Sequence, residues 1–201
     1  KDFEAMFAFT SFNQDISSWD VSSGTDYAYM FLGATSFNQD ISSWDVSAGT
    51  NFTYMFFANS SLDQDLSNWN VSSATSLFGM FVGASNFNSD LGNWDVSNAT
   101  TLASMFNQAS TFDQNLSLWD VSSANSLAEM FSGTAMIDSQ GISSTPNTSY
   151  FDATTGNGIV VGDVVMITHD SLLPRPAFLG SLLFLYQDVA LSRLLRKDRK
   201  P

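Results

Sequence analysis

Carboxylates recur along this chain at a fixed interval. Asp20, Asp45, Asp95 and Asp120 fall on one beat of 25 residues, with Asn70 filling the remaining place. Ser22, Ser47, Ser72, Ser97 and Ser122 keep the same beat two positions later. A second set, Asp15, Asp40, Asp65 and Asp90, runs in parallel and ends in Asn115, with Asp63 beside it. Such rows could receive a cationic partner surface or divalent ions. Calcium needs six to eight grouped oxygens, and Asp63-Gln64-Asp65 could open a site of that kind. No Gly or bidentate Glu follows it at EF-hand spacing, and Asn or Asp in a tight return commonly bonds its own backbone instead. Acid–base catalysis is poorly served, because it needs two carboxyl groups in different environments and a ladder supplies many equivalent ones. The one histidine, His169, and the absence of cysteine leave no thiolate chemistry and little for a histidine-based site. The reading is non-catalytic, with no firm metal or cofactor and calcium as the one candidate ion.

The element that positions these rows is a tandem repeat. Tryptophan stands at 19, 44, 69, 94 and 119, and Met-Phe pairs at 6–7, 30–31, 55–56, 80–81, 105–106 and 130–131. In the unit that begins at Leu66, Trp69 and Val71 are two apart, which puts both on one side of a short strand. Leu77, Met80, Phe81 and Ala84 are spaced i, i+3, i+4, i+7, one face of a helix, with Ser and Thr at 72–76 as its N-cap residues. Each unit therefore predicts strand, tight turn, short helix and an Asn/Gln/Asp-rich return. Seven buried side chains per unit supply on the order of 10–20 kcal/mol. Ordering the backbone of one unit costs roughly 25–50 kcal/mol, so a unit must stack on its neighbours.

The fold expected is α/β: a leucine-rich-repeat-like solenoid of about five 25-residue strand–turn–helix units, followed by a non-repeat C-terminal segment. The row Asp20, Asp45, Asn70, Asp95, Asp120 would lie outward between the inward Trp and Val. Equivalent carboxylates would then sit about 5 Å apart, repelling by ~0.8 kcal/mol in water and ~3 kcal/mol at an effective dielectric of 20. Asn70 relieves part of that. The row can be read as a binding face, or as polar cover that keeps an exposed sheet from aggregating.

The recurring MF-x-GA pattern and the segment FNQDISSWDVS, at 12–22 and again at 37–47, resemble the BspA-like leucine-rich-repeat surface proteins. The likeness is to the 25/26-residue bacterial surface-protein repeat of the Mycoplasma-lipoprotein type, and it covers residues 2–138. It implies an extracellular or cell-surface module that binds or adheres to a protein or surface ligand, and it implies no catalytic residues. A structural spacer for another domain and a calcium-dependent interaction module are the alternatives.

Charge divides the chain. Residues 2–174 carry no Lys or Arg, whereas Arg175, Arg193, Arg196, Lys197, Arg199 and Lys200 crowd the end of a chain whose net charge is −13. An acidic array argues against nucleic acid, which needs a basic face. Three stretches are expected: the repeats over 1–138, a linker or loop over 139–158, and a cap or tail over 159–201. Residues 177–195 read as an apolar helix interrupted by Gln187 and Asp188, too short to span a bilayer. Membrane contact is expected only through the 177–200 tail. The Leu173–Ala177 stretch approaches a wall-sorting motif but lacks its Thr-Gly. Sequons at Asn51, Asn59, Asn70, Asn98, Asn115 and Asn147 are a weak signal of surface loops.

Overall fold

The computed structural model describes residues 1–151. The 177–200 tail, the 159–201 segment and His169 lie outside the described residues. Residues 25 apart do meet, but the units between them are not strand–turn–helix. Among the described residues there is one short helix, α1 (Met136–Gln140), and one 3-10 turn, Thr148–Phe151. The sheet is reduced to isolated parallel bridges that link Asp2, Asp26, Asn51, Ser76 and Thr101 in turn. The α/β leucine-rich-repeat expectation is therefore wrong, and the fold is a stack of coils made almost wholly of turns.

The expected helix fails for a reason visible in its hydrogen bonds. Over residues 27–34, the amides of Tyr27, Tyr29, Phe31 and Gly33 donate to the next coil, at the carbonyls of Asn51, Thr53, Met55 and Phe57 (2.7–2.9 Å). The alternate amides of Met30, Leu32 and Ala34 donate three residues back within their own coil. Every fourth residue is left-handed, as Tyr29 (φ 61°) and Gly33 (φ 64°) here and Tyr54 and Ala58 one coil later. A positive φ at the third position, as in the turns closed by Met30 and Ala34, is type II geometry. A helix would spend all these amides on itself and needs about 10 Å of room. Successive coils bonded directly to each other stand about 4.8 Å apart, as strands do. Neighbour bonding wins, and Ser72, expected to cap a helix, has no helix to cap.

The Trp-x-Val strand is likewise absent. The amide of Trp44 closes a turn on Ile41, and that of Gly49 closes another on Val46. Only Trp44, Asp45 and Val46 run from the close of one turn to the start of the next, too few to pair as a strand. Their alternation is nonetheless as expected: Trp44 and Val46 are buried and Asp45 is exposed.

The core is columns of like side chains. Phe7, Phe31, Phe56, Phe81, Phe106 and Phe131 stack with centroids 5.5–6.0 Å apart. Trp44 lies parallel to Trp69 at 6.4 Å. Each buried indole also bonds backward, Trp44 to the Ile16 carbonyl, Trp69 to Ile41, Trp94 to Leu66 and Trp119 to Leu91 (2.8–3.1 Å). Buried indole N–H groups need such partners. Outside, Thr50, Thr75 and Thr100 each donate amide and hydroxyl to the carbonyl of the threonine one coil earlier.

Glycine is matched to ring size. Gly24 and Gly49 precede Tyr27 and Phe52 by three residues, whereas Ala74 and Ala99 precede Leu77 and Leu102. A Cβ on Gly49 would come within 2.8 Å of Phe52 Cε2. Gly49→Ala should therefore destabilise by about 1–3 kcal/mol through overpacking. Adding Phe52→Leu should recover most of that loss, because the pair then copies Ala74 with Leu77. Urea melts of the two single variants and the double variant measure the coupling; additive losses would refute the match.

Candidate functional site

The first carboxylate row is brought into register as expected, but on turn corners and not on a sheet face. Asp20, Asp45, Asn70, Asp95 and Asp120 are all exposed. Each uses Oδ1 to accept the backbone amide two residues on, from Ser22, Ser47, Ser72, Ser97 and Ser122 (2.9–3.1 Å). The hydroxyls of Ser22, Ser72 and Ser97 donate to the same oxygen at 2.6–2.7 Å. The serines are thus partners of the row and share its corner. Asn70 makes the same two bonds as the aspartates, so the turn needs an oxygen and no charge.

The weak metal candidates are corners too. Asp15, Asp40, Asp65 and Asp90 accept the amides of Ser17, Ser42, Ser67 and Gly92, each at 2.9 Å. Asp63 lies elsewhere: its amide donates to Asn38 Oδ1 of the preceding coil (2.9 Å), and Gln64 Nε2 grips the same oxygen. The Asp63 amide and the Gln64 side chain thus share one oxygen of Asn38, while Asp65 holds its own corner. Among the described residues, no group of three or more His, Cys, Asp or Glu side chains could hold a metal.

A function of the return segment escaped the sequence reading. Asn13 and Asn38 clip coil to coil, Asn13 Oδ1 taking the Asn38 amide (3.0 Å) and the Gln39 side chain (2.9 Å). Asn88 does the same for Asp113 and Gln114. Asp113 in turn takes the Ser139 hydroxyl and Gln140 Nε2 (2.8 Å), which ties down the segment after the last coil. A third corner, at Asp26 and Asn51, was also missed. The Asn-Gln-Asp run, repeated without change at 13–15 and 38–40, was the available signal.

The electrostatics follow from the serine bonds. Asp20, Asp45, Asp95 and Asp120 are held below the ordinary carboxylate value of 3.8, chiefly by the serine hydroxyl and then by its amide. Neighbouring carboxylates oppose this, as Asp20 does for Asp45. A depressed folded value means these groups stabilise the fold above their ordinary value, and that support disappears as pH falls through the folded value. Tyr27, buried with its hydroxyl on the Val21 carbonyl (2.8 Å), is pushed up to about 12 by desolvation and by Asp45 and Asp20.

Among the described residues, no helix is long and apolar enough to cross a membrane. Searches of curated proteins and of solved structures gave no match. A family profile described as Mycoplasma protein of unknown function, DUF285, matches residues 1–91 and again residues 49–145. The two matches overlap and are offset by nearly two coils, as a repeating chain allows. Together they span most of the sequence, and the chain belongs to this DUF285 family.

Proposed function

We propose that the protein is a non-catalytic binding module of the extracellular or cell-surface kind that the BspA-like resemblance implies, and that Asp20, Asp45, Asp95 and Asp120 receive a cationic protein or surface ligand. The observation that carries this reading is the row itself: exposed carboxylates, ionised at neutral pH and fixed in one orientation by Ser22, Ser47, Ser97 and Ser122. Among the described residues the bonds of this row end on Oδ1, which leaves Oδ2 for a partner. A pre-ordered row loses little entropy on binding, and repeated like charges favour a partner with repeated opposite charge.

Asn70 supplies the test. Converting all four aspartates to asparagine should leave the corners and the fold intact, because Asn70 already makes the same turn. Binding of a decalysine peptide, measured by calorimetry at low salt, should weaken at least ~10-fold in this variant. The loss of stability of the unmodified protein on acidification below about pH 4 should also shrink. Equal peptide affinity in the two proteins would leave the row as polar cover on a spacer. The calcium reading gains no support from the positions of Asp15, Asp40, Asp63, Asp65 and Asp90.

A further inference from the structure

We infer that residues 135–151 are a built end cap, which stops the stack after the coil of Phe131 and shields that coil's edge from pairing with another chain. The segment starts as a further coil would. Gln140 Nε2 donates to Asp113 Oδ1 (2.8 Å), as Gln64 does to Asn38 and Gln114 to Asn88. The Ser139 hydroxyl donates to the same Asp113 oxygen, and Met136 is fully buried. The pattern then breaks in α1. The amides of Asn38, Asp63 and Asp113 are each given to an asparagine of the preceding coil. That of Asp138 returns instead to the Ala135 carbonyl (3.1 Å), and so does that of Ser139 (3.0 Å). A helix needs about 10 Å of room where stacked coils stand about 4.8 Å apart, so α1 does not continue the ladder. The left-handed Gly141 (φ 67°) ends it.

Past Gly141 the chain crosses the edge of the last coil and takes places that a following coil would hold. The amides of Phe31, Phe56, Phe81 and Phe106 each donate to a methionine carbonyl one coil on. The Phe131 amide donates to the Ser144 carbonyl (2.9 Å). Two residues earlier, the amides of Tyr29, Tyr54, Gly79 and Ser104 also donate to carbonyls of the next coil. The Glu129 amide donates to a side chain, Thr145 Oγ1 (2.8 Å). The order of acceptors is reversed as well. Tyr29 and Phe31 bond to Thr53 and Met55 in rising order, whereas Glu129 and Phe131 bond to Thr145 and Ser144. The crossing segment thus runs against the coils and does not set the parallel register of another one.

The ring column closes at the same place. Successive members from Phe7 to Phe131 lie within 22° of parallel, but Tyr150 meets Phe131 edge-on, at 78° and 6.0 Å. A flat stack that ends on a perpendicular ring offers no face to the next flat ring. The Tyr150 hydroxyl reaches further and accepts the Leu116 amide (3.4 Å). Uncovered, the last coil would present the amides of Glu129 and Phe131 beside the face of a phenylalanine. Such an edge is a template for pairing with another chain, and repeat arrays need a dissimilar end to stay soluble.

Two variants of the full chain test this. Tyr150→Ala combined with Thr145→Val removes the crossing ring and the hydroxyl acceptor and leaves the coils themselves unaltered. In hydrogen–deuterium exchange read by NMR, the amides of Glu129 and Phe131 should exchange at least ~10-fold faster, while those of Tyr54 and Phe56 keep their rates. Sedimentation velocity over a concentration series should show more association of the variant than of the unmodified chain. Ser139→Ala combined with Gln140→Ala loosens the cap at Asp113 without touching the rings, and it should move both readouts the same way. Unchanged exchange at Glu129 and Phe131 in both variants overturns the inference. Faster exchange without added association also overturns it, because the edge would then need no shield.

Discussion

Phe81→Ala should lower the unfolding free energy by about 3–5 kcal/mol, the range for truncating a fully buried aromatic residue. The ring lies between Phe56 (5.7 Å) and Phe106 (5.6 Å) and over Phe87 of its own coil (4.1 Å). Collapse into the space left behind is opposed by the backbone, since the Phe81 amide is bonded to Met105 and the Phe56 amide to Met80. A melting temperature lower by roughly 10 °C follows for a chain of this size. The half-buried Phe7 provides the comparison: Phe7→Ala should cost less, because the ring is partly exposed and among the described residues has one column neighbour, Phe31, where Phe81 has two. Thermal melts followed by circular dichroism would decide, and equal losses for the two variants would show that the column does not carry the fold.

Asn59→Ala is expected to do the opposite and raise stability by about 1–3 kcal/mol, the cost commonly attached to an unmet buried polar group. Asn59 is fully buried, and neither its Nδ2 nor its Oδ1 has a partner among the described residues. The places above and below it in the stack are Ala34 and Ala84, so alanine fits the column. Thr10 and Thr134 show another solution at the same place, donating to the carbonyls of Phe7 (2.7 Å) and Phe131 (2.8 Å). Asn59→Thr should therefore also stabilise, with its hydroxyl on the Phe56 carbonyl. A fall in melting temperature for both variants would show that the amide is satisfied in solution. The burial of Asn59 also removes it from the set of accessible sequons.

The period, the columns and the inward or outward sense of most residues were legible in the sequence, since identical spacing of Trp69, Met80 and Phe81 admits only stacking. The local backbone was not. Leu77, Met80, Phe81 and Ala84 have helical spacing, but a run of turns with a left-handed residue every fourth position buries the same set. Two signs pointed away from a helix. Val82 and Leu32, on what would be the outer face, are apolar and buried, and Gly79 and Gly83 fall four apart. Asp20, Asp45, Asn70, Asp95 and Asp120 are exposed between buried neighbours, yet their role as corners depends on the serine two residues later. That pattern, from Asp20 with Ser22 onward, identifies an Asx-turn only if no strand is assumed there.

The difference between the two sides of a coil has a consequence for how such a chain can change length. Because the two sides of a coil carry different sets of donors and acceptors, with amides such as that of Phe31 bonding forward and those of Thr50 and Thr75 bonding backward, any coil can follow any other, and none can be inserted reversed. Unequal recombination between the repeats of the gene would thus give proteins that still fold, provided that whole coils are gained or lost. The coil that contains Thr10 and Phe12 is one residue shorter at that turn than the coil that follows it. In the middle of the stack the same deletion would put two junctions out of step, and drift in length there must proceed by entire units.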